Sequence, residues 1–493
     1  MDLFTIASII IALSALFGFI NVRLLKLPNT IGLMIMAIVF TLVIFASTAF
    51  TDRFLLAAQQ FIAQVDFPAV LLDVMLGFLL FAGAMHTNFD QLKVQRWPVL
   101  AFATVGIMTS TFLVGIVTWM AFNAMGLDVR FIHCLLFGAL ISPTDPIAVL
   151  GILKKARVPK KLETKIVGES LFNDGVGVVV FLTIFSIATG GSHPGGHDGH
   201  DTHAAHAHHA SAHHASAQLA NTISLVSYDA DNTDKPPANE GEDEPQSEHT
   251  QAPSAKSPSL MKTVQDVLTL FGTEVLGGIA LGLVLGSLTY VLLRSIDDYE
   301  IEVMITLACV MGGYSLAAAW HLSAPLAIVV AGLIVGNDTV RGTAMSKQTE
   351  IYVDKFWELV DILLNAILFV LIGFELLVLE VTSSFVYAGL AAIVIVLVAR
   401  YLSLLVPVHF FSKRLDFVPH TATIMAWGGL RGGISIALAL RLTPEMNRDL
   451  FLTATYGVVI FSIIVQGLTV GVLAKRLIGV SDKAEVDDSA TAH

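Results

Sequence analysis

Charged residues are scarce in this chain. They make up 14% of its 493 residues, whereas 55% of the residues are hydrophobic. Soluble domains carry charge at about a quarter of their positions. This scarcity, together with the recurring long apolar stretches, excludes a soluble globule and favours an all-α, polytopic membrane protein. No basic patch interleaved with aromatic residues occurs, so the sequence predicts no nucleic-acid partner.

Cysteine is nearly absent as well. Cys134 and Cys309 both fall inside apolar stretches, which predicts buried, small apolar side chains and supports neither a disulfide nor a metal site. The N-terminus lacks the basic region of a signal peptide, so we interpret the first apolar stretch as a retained helix.

The apolar stretches predict about thirteen membrane helices. Lysine and arginine concentrate in the connections after odd-numbered helices, above all between Lys154 and Lys165. Because basic loops stay on the cytoplasmic side, we expect the C-terminus to be cytoplasmic and the N-terminus to lie outside. The predicted helices cover residues 2–20, 28–48, 68–87, 98–122, 131–152, 165–189, 264–293, 301–319, 322–336, 358–379, 384–409, 420–441 and 449–473.

One segment interrupts this pattern and divides the chain. We expect an N-terminal membrane half at 1–189, a loop outside the membrane at 190–261, a C-terminal membrane half at 262–477 and a short cytoplasmic tail at 478–493. The loop is polar and rich in histidine, so it cannot form a core and is predicted to be disordered. It is either a tolerated insertion or a segment that binds metal or buffers protons. The candidate metal ligands in it are His193, His197, His200, His203 and His206.

Polar residues gather at the start of the sixth predicted helix. Ser170 and Asp174 lie four residues apart and share one helix face, while Glu169 and Asn173 share the neighbouring face. A charged side chain inside a membrane is costly and is a functional site by default. We interpret the cluster as a cation or proton site built on Asp174 and Ser170; the alternative is a charge-paired structural cluster.

Two predicted helices contain residues that disrupt a helix. The fifth contains the sequence Ser-Pro-Thr-Asp-Pro at 142–146, and the twelfth contains four glycines around Arg431 at 428–433. Proline and glycine both disfavour a continuous helix, and open backbone in a membrane is tolerated only inside protein or beside water. A buried arginine needs a counter-charge, for which Glu169 is the first candidate and Asp145 the second. Paired interrupted helices in inverted halves are typical of secondary transporters.

Five further polar residues lie in or near the predicted helices. For each of them we favour a structural pair over a role in transport. They are Asp73, His86, Asp361, Glu375 and Arg400.

These motifs resemble those of the cation/proton antiporter-1 family, the sodium/proton exchangers. The resemblance rests on Thr144-Asp145-Pro146, on Glu169-Ser170 followed by Asn173-Asp174, and on Gly429-Leu430-Arg431-Gly432-Gly433. It covers essentially all predicted helices and fails only at 190–261. It implies inverted repeats in which the fifth and twelfth helices are discontinuous and cross. It also implies a homodimer in a bacterial inner membrane, with helices 4–6 and 11–13 as the moving core, and a role in pH homeostasis.

The resemblance also implies roles for single residues. Asp174 would hold either a cation or a proton, and Ser170 and Thr144 would add oxygen ligands. Asn173, grouped with these ion-binding residues, would stabilise the crossing of the broken helices. Glu169 and Arg431 would form a structural ion pair, and Asp145 would compensate the half-helix ends. Many members carry a glutamate in the third helix where this chain has Ala82, which puts the ion selectivity in doubt.

From these motifs we expect a transporter and not an enzyme. It would exchange one sodium ion for one proton without net charge movement, because both compete for Asp174, and it would use no cofactor. A potassium/proton antiporter is the alternative, and a divalent metal exchanger, a cation channel and an intramembrane hydrolase are further classes. A channel would show a continuous polar lining, a hydrolase would show paired catalytic aspartates, and a divalent exchanger would carry more acidic or histidine ligands in its helices.

Overall fold

The computed structural model describes residues 3–87, 89–145, 147–189, 260–379, 382–412 and 417–478. Within these ranges, ten helices are long and apolar enough to cross a membrane, and two more are apolar but shorter. In chain order, with the interrupted segments included, the membrane segments are α1 (Phe4–Leu25), α2 (Asn29–Ser47), α3 (Phe67–Met85), α4 (Arg96–Ala124), α5 (Phe131–Ile141 and Ile147–Lys155), α6 (Lys160–Ala188), α7 (Gly272–Arg294), α8 (Tyr299–Ala319), α9 (Ala324–Val335), α10 (Lys347–Glu375), α11 (Ser383–Ser412), α12 (Thr421–Trp427 and Gly433–Leu440) and α13 (Arg448–Ile478).

The outer faces of these helices are apolar, as a membrane requires. Large side chains such as Phe19, Leu42 and Val394 are exposed, and a lipid-facing surface needs this composition because lipid offers no hydrogen bonds. The predicted all-α membrane class is therefore confirmed. The number of about thirteen spans stays a prediction, since α9 has only 12 residues and α5 and α12 are interrupted.

The two interruptions fall where the sequence predicts them. The first half of α5 ends at Ile141 and the second begins at Ile147, while α12 stops at Trp427 and resumes at Gly433. Proline in the first gap and glycine in the second explain why neither helix continues. The two gaps touch, because the main-chain N–H of Asp145 donates a 2.8 Å hydrogen bond to the carbonyl of Leu430 in an antiparallel bridge.

Glycine in α6 lets the first gap pack closely. A Cβ atom added at Gly177 would collide with the ring of Pro143. The absence of a side chain at this position therefore lets the interrupted backbone of α5 lie directly against α6.

The chain divides into two compact units. One consists of Met1–Phe181 with Glu274–His493, and the other of Leu182–Thr273. The interrupted helices and the polar cluster of α6 all lie in the first unit. The histidine-rich segment up to residue 259, the tail from residue 479 and Pro146 lie outside the described residues.

Candidate ion-binding site

The polar cluster of α6 is buried. The exposed fractions of Glu169, Ser170, Asn173 and Asp174 are between 0% and 7%. Such groups need partners or a polar cavity, because an unpaired polar group is costly away from water. Their partners come from the gaps of α5 and α12 and from α11.

Asn173 joins α6 to the open backbone of α5. Its side-chain oxygen accepts a 3.2 Å hydrogen bond from the Thr144 main-chain N–H, and its Nδ2 donates to Thr144 Oγ1 at 2.8 Å and to Glu169 Oε1 at 3.3 Å. The hydroxyls of Thr144 and Ser170 lie 3.0 Å apart and share a hydrogen bond. Asn173 therefore holds the gap in place, while Thr144 and Ser170 present adjacent hydroxyl oxygens.

The structure corrects the predicted partner of Glu169. Its carboxylate pairs with Arg400 of α11 and not with Arg431, at 2.6 Å from Oε1 to Nη1 and 2.7 Å from Oε2 to Nη2. The two side chains are 1% and 2% exposed. Two close contacts of this kind fit the planar fork of a guanidinium to a carboxylate. Arg400 thus has the structural pair that we expected for it, although with a residue that we had assigned elsewhere.

Arg431 instead stabilises a helix end. Its Nη1 donates to the carbonyls of Ser142 and Pro143 at 2.8 and 3.0 Å, where the first half of α5 terminates. The last carbonyls of a helix have no partners within the helix, and they form its negative end. This explains why Arg431 does not need Glu169: the interrupted helix supplies the acceptors itself.

Asp145 lies at the opposite kind of helix end. A Cβ added at Gly432 would approach Asp145 Oδ2 to 2.9 Å, so the carboxylate adjoins the residue that precedes the second half of α12. A helix N-terminus attracts negative charge. That Asp145 compensates the half-helix ends stays a prediction.

Asp174 faces a cavity of about 60 Å³. The cavity is bounded by α3, by the gaps of α5 and α12, by α6 and by α10. Among the described residues, none donates a hydrogen bond to the Asp174 carboxylate or forms an ion pair with it. A carboxylate in such a position can bind a cation or a proton, but not both at once.

Sequence reasoning missed two polar residues of this cavity, Asn365 of α10 and Ser435 of α12. Asn365 of α10 lines it together with Asp174 and Asp145, and the amide Nδ2 of Asn365 donates to the main-chain carbonyl and to Oδ1 of Asp361, at 2.9 and 3.0 Å. The available signal was the i, i+4 spacing of Asp361 and Asn365 in an apolar helix. We had noted only the aspartate.

The third helix contributes no polar side chain to the cavity. Its lining residues from α3 are leucines and Gly83, and Ala82 is buried. Asp73 of α3 is largely exposed and lies 3.5 Å from Arg441.

No group of three or more histidine, cysteine, aspartate or glutamate side chains that could hold a metal occurs within the described ranges. The five candidate histidines of the 190–261 segment fall outside those ranges.

Comparison with known proteins gives consistent matches. The model of the transmembrane sodium/hydrogen exchanger family matches residues 9–209 and 249–476. The Na(+)/H(+) antiporter NhaP of Pseudomonas aeruginosa is 42% identical over 472 residues, covering 95% of each chain. The Na(+)/H(+) antiporter NhaH of Halobacillus dabanensis is 30% identical over 459 residues, covering 92% of this chain and 93% of that one.

A solved structure shares the fold. The sodium proton antiporter MjNhaP1 from Methanocaldococcus jannaschii superposes with a TM-score of 0.65, covering 97% of this chain and 100% of its own, at 17% sequence identity. At that identity the likeness concerns the fold alone.

Proposed function

The chain belongs to the sodium/hydrogen exchanger family, and we propose that it exchanges one sodium ion for one proton across a membrane at Asp174. The observation that carries the proposal is the Asp174 carboxylate, which faces a cavity beside two helix gaps and, among the described residues, accepts no hydrogen bond and forms no ion pair. Names of its relatives, such as the Na(+)/H(+) antiporter NhaP, support sodium as the cation.

The oxygen atoms around Asp174 suit a hard monovalent cation. Such ions prefer carboxylate, hydroxyl, carbonyl and water oxygens. Ser170 shares the α6 face of Asp174, and its hydroxyl lies 3.0 Å from the hydroxyl of Thr144 in the α5 gap, although neither of these two residues lines the cavity that Asp174 faces. A cavity of about 60 Å³ has room for an ion that keeps part of its hydration shell. In this arrangement Asn173 positions Thr144 and leaves the ion contacts to the other three residues.

The neighbouring charges explain why the exchange would be one for one. Glu169 is compensated by Arg400, and Asp145 adjoins the start of the second half of α12. Asp174 is then the carboxylate that alternates between a cation and a proton. One positive charge leaves for each one that enters, so no net charge moves.

Proton movement in liposomes tests this proposal. Purified protein is reconstituted with a pH-sensitive dye inside the vesicles, and sodium, lithium or potassium is added outside at several pH values. We expect sodium to drive proton movement, and Asp174→Asn to abolish it. Asp73→Asn serves as the matched control, because its side chain is 61% exposed and only loosely paired. Normal exchange by Asp174→Asn would refute the site.

The same titration decides between sodium and its alternative. If potassium drives exchange at lower concentrations than sodium, the chain is a potassium/proton antiporter. A response to divalent cations alone would instead support the metal-exchanger alternative.

We further propose a homodimer in a bacterial inner membrane, in which the membrane halves 1–189 and 262–477 form the transporter. Bacterial relatives support the location, and the basic connections support a cytoplasmic C-terminus. Orientation can be tested by labelling engineered cysteines, because Cys134 and Cys309 are both buried. A cysteine near Lys154 that reacts from outside intact cells would reverse the assignment.

A further inference from the structure

Two polar side chains that line the Asp174 cavity have no assigned role, Ser435 of α12 and Asn365 of α10, and Asn365 offers an amide oxygen. The α10 wall has Asn365 as its polar lining residue, and this residue is 4% exposed. The neighbouring wall from α3 is apolar and offers no oxygen ligand. Besides Asp174, a cation in the cavity would therefore find its side-chain oxygens on Asp145 in the α5 gap, on Ser435 of α12 and on Asn365 of α10.

The orientation of the Asn365 amide is fixed by its partner. Nδ2 donates to the main-chain carbonyl of Asp361 at 2.9 Å and to its Oδ1 at 3.0 Å. An amide nitrogen has two hydrogens, and the reversed amide would place an oxygen against two acceptors. Asp361 therefore determines which end of the Asn365 amide is left for other partners.

The end that is left over is an acceptor. Among the described residues, no N–H or O–H group donates to Asn365 Oδ1, although the side chain lines a cavity that also contains Asp174. This oxygen is not one of the fully enclosed acceptors that lack a donor, so a ligand in the cavity can reach it. A partially hydrated cation would satisfy it, since an amide oxygen is a good ligand for hard cations.

We propose that Asn365 is a further cation ligand of the Asp174 site and that Asp361 is the positioning residue that turns the amide oxygen towards the ion. The inference rests on the proposed function and names a contact that the family motifs of α5, α6 and α12 do not contain. A neutral ligand adds affinity for the cation without adding a second charge. It would thus preserve the exchange of one cation for one proton.

The test is the sodium concentration that gives half-maximal exchange, measured in liposomes for Asn365→Leu, Asp361→Ala and Asp361→Asn. Asn365→Leu has a similar volume and no oxygen, and we expect this concentration to rise about tenfold, as for one lost polar contact with a charged group. The maximal exchange rate should change by a smaller factor than the half-maximal sodium concentration. Asp361→Ala should raise the half-maximal concentration, whereas Asp361→Asn should restore it, because an amide oxygen can still accept from Asn365.

Two comparisons keep the result interpretable. Glu358 is exposed and lies one turn before Asp361 on α10. Glu358→Gln removes its charge without removing a hydrogen-bond partner of Asn365, so this variant reports the effect of charge alone on the sodium dependence. Thermal unfolding in detergent shows whether each variant is folded, and Asn365→Ala replaces Asn365→Leu if the latter is not.

The outcomes are separable from those of the parent proposal. Wild-type sodium dependence in a folded Asn365→Leu or Asn365→Ala variant, while Asp174→Asn is inactive, would overturn this inference and leave the exchange site intact. An equal rise of the half-maximal sodium concentration in Asp361→Ala and Asp361→Asn would overturn the positioning role, because the effect would then come from the charge of Asp361. Normal exchange in Asp174→Asn would refute the parent proposal instead.

Discussion

At the scale of single residues, the ion pair between Glu169 and Arg400 is the strongest constraint beside the site. Both side chains are almost fully buried, and two short contacts join them. Removing one partner leaves an uncompensated charge, whereas removing both does not. We therefore expect Arg400→Leu or Glu169→Leu alone to lower the free energy of unfolding by about 3–5 kcal/mol, and the double variant to lose less than either single one.

Denaturant unfolding in detergent measures all three variants as a double-mutant cycle. Arg441→Leu is the control, because Arg441 lies 3.5 Å from the exposed Asp73 and surface pairs contribute about 0–1 kcal/mol. If the double variant lost the sum of the unfolding free energies that the two single variants lose, the two residues would not stabilise each other.

The same pair shows where sequence reasoning ends at this scale. A carboxylate in an apolar helix marks Glu169 as a residue that needs a counter-charge, and two arginines were available for it. Arg431 was the natural choice because its glycine-rich context is conspicuous, whereas Arg400 lies in an uninterrupted apolar helix. Only the three-dimensional arrangement shows that the end of the first half of α5 supplies acceptors to Arg431. Asn365 escaped notice for a similar reason, since its importance comes from the cavity and not from its neighbours in sequence.

At the scale of helices, the close contact between α5 and α6 depends on Gly177. A Cβ at this position would collide with Pro143, and both helices are fixed by other contacts, so the collision cannot relax freely. We expect Gly177→Ala to lower the free energy of unfolding by about 1–3 kcal/mol, as overpacking does. It should also slow exchange, because Pro143 adjoins Thr144 and Asp145.

Gly151→Ala is the matched control for this prediction. Gly151 lies in the second half of α5, and a Cβ there meets nothing within 4 Å. Its replacement should therefore leave exchange unchanged and keep stability within a few tenths of a kcal/mol or improve it slightly. Equal behaviour of the two variants, in unfolding and in exchange, would contradict the packing argument.

The positions of the helix gaps were predictable, whereas their contacts were not. Pro143 and the glycines at 428–433 act locally, so their effect can be deduced from the residues alone. The bridge from Asp145 to Leu430 joins segments nearly three hundred residues apart, and no local rule indicates it. The expectation that the two gaps meet came from the family resemblance.

At the scale of the whole molecule, the arrangement of charges predicts how exchange responds to voltage. Glu169 is paired with Arg400, Asn173 and Asn365 are neutral, and Asp174 would carry the one exchangeable charge. Moving one net charge across a membrane changes the free energy by about 2.3 kcal/mol per 100 mV. An exchange of one cation for one proton moves none, so its rate should be independent of voltage.

Thiocyanate, a membrane-permeant anion, provides the measurement. Sodium-driven proton movement is recorded in liposomes with and without thiocyanate, which dissipates any potential that transport creates. We expect equal initial rates with and without thiocyanate. The control is proton influx driven by a valinomycin-generated potassium potential in the same vesicles, which thiocyanate must reduce because it dissipates that potential. A faster rate with thiocyanate would mean that net charge moves, so that the numbers of protons and cations exchanged per cycle are unequal. If protons exceed cations, a second carboxylate would have to titrate, and the first to replace by asparagine would be Asp145, which lines the cavity, and Asp361, which accepts hydrogen bonds from Asn365.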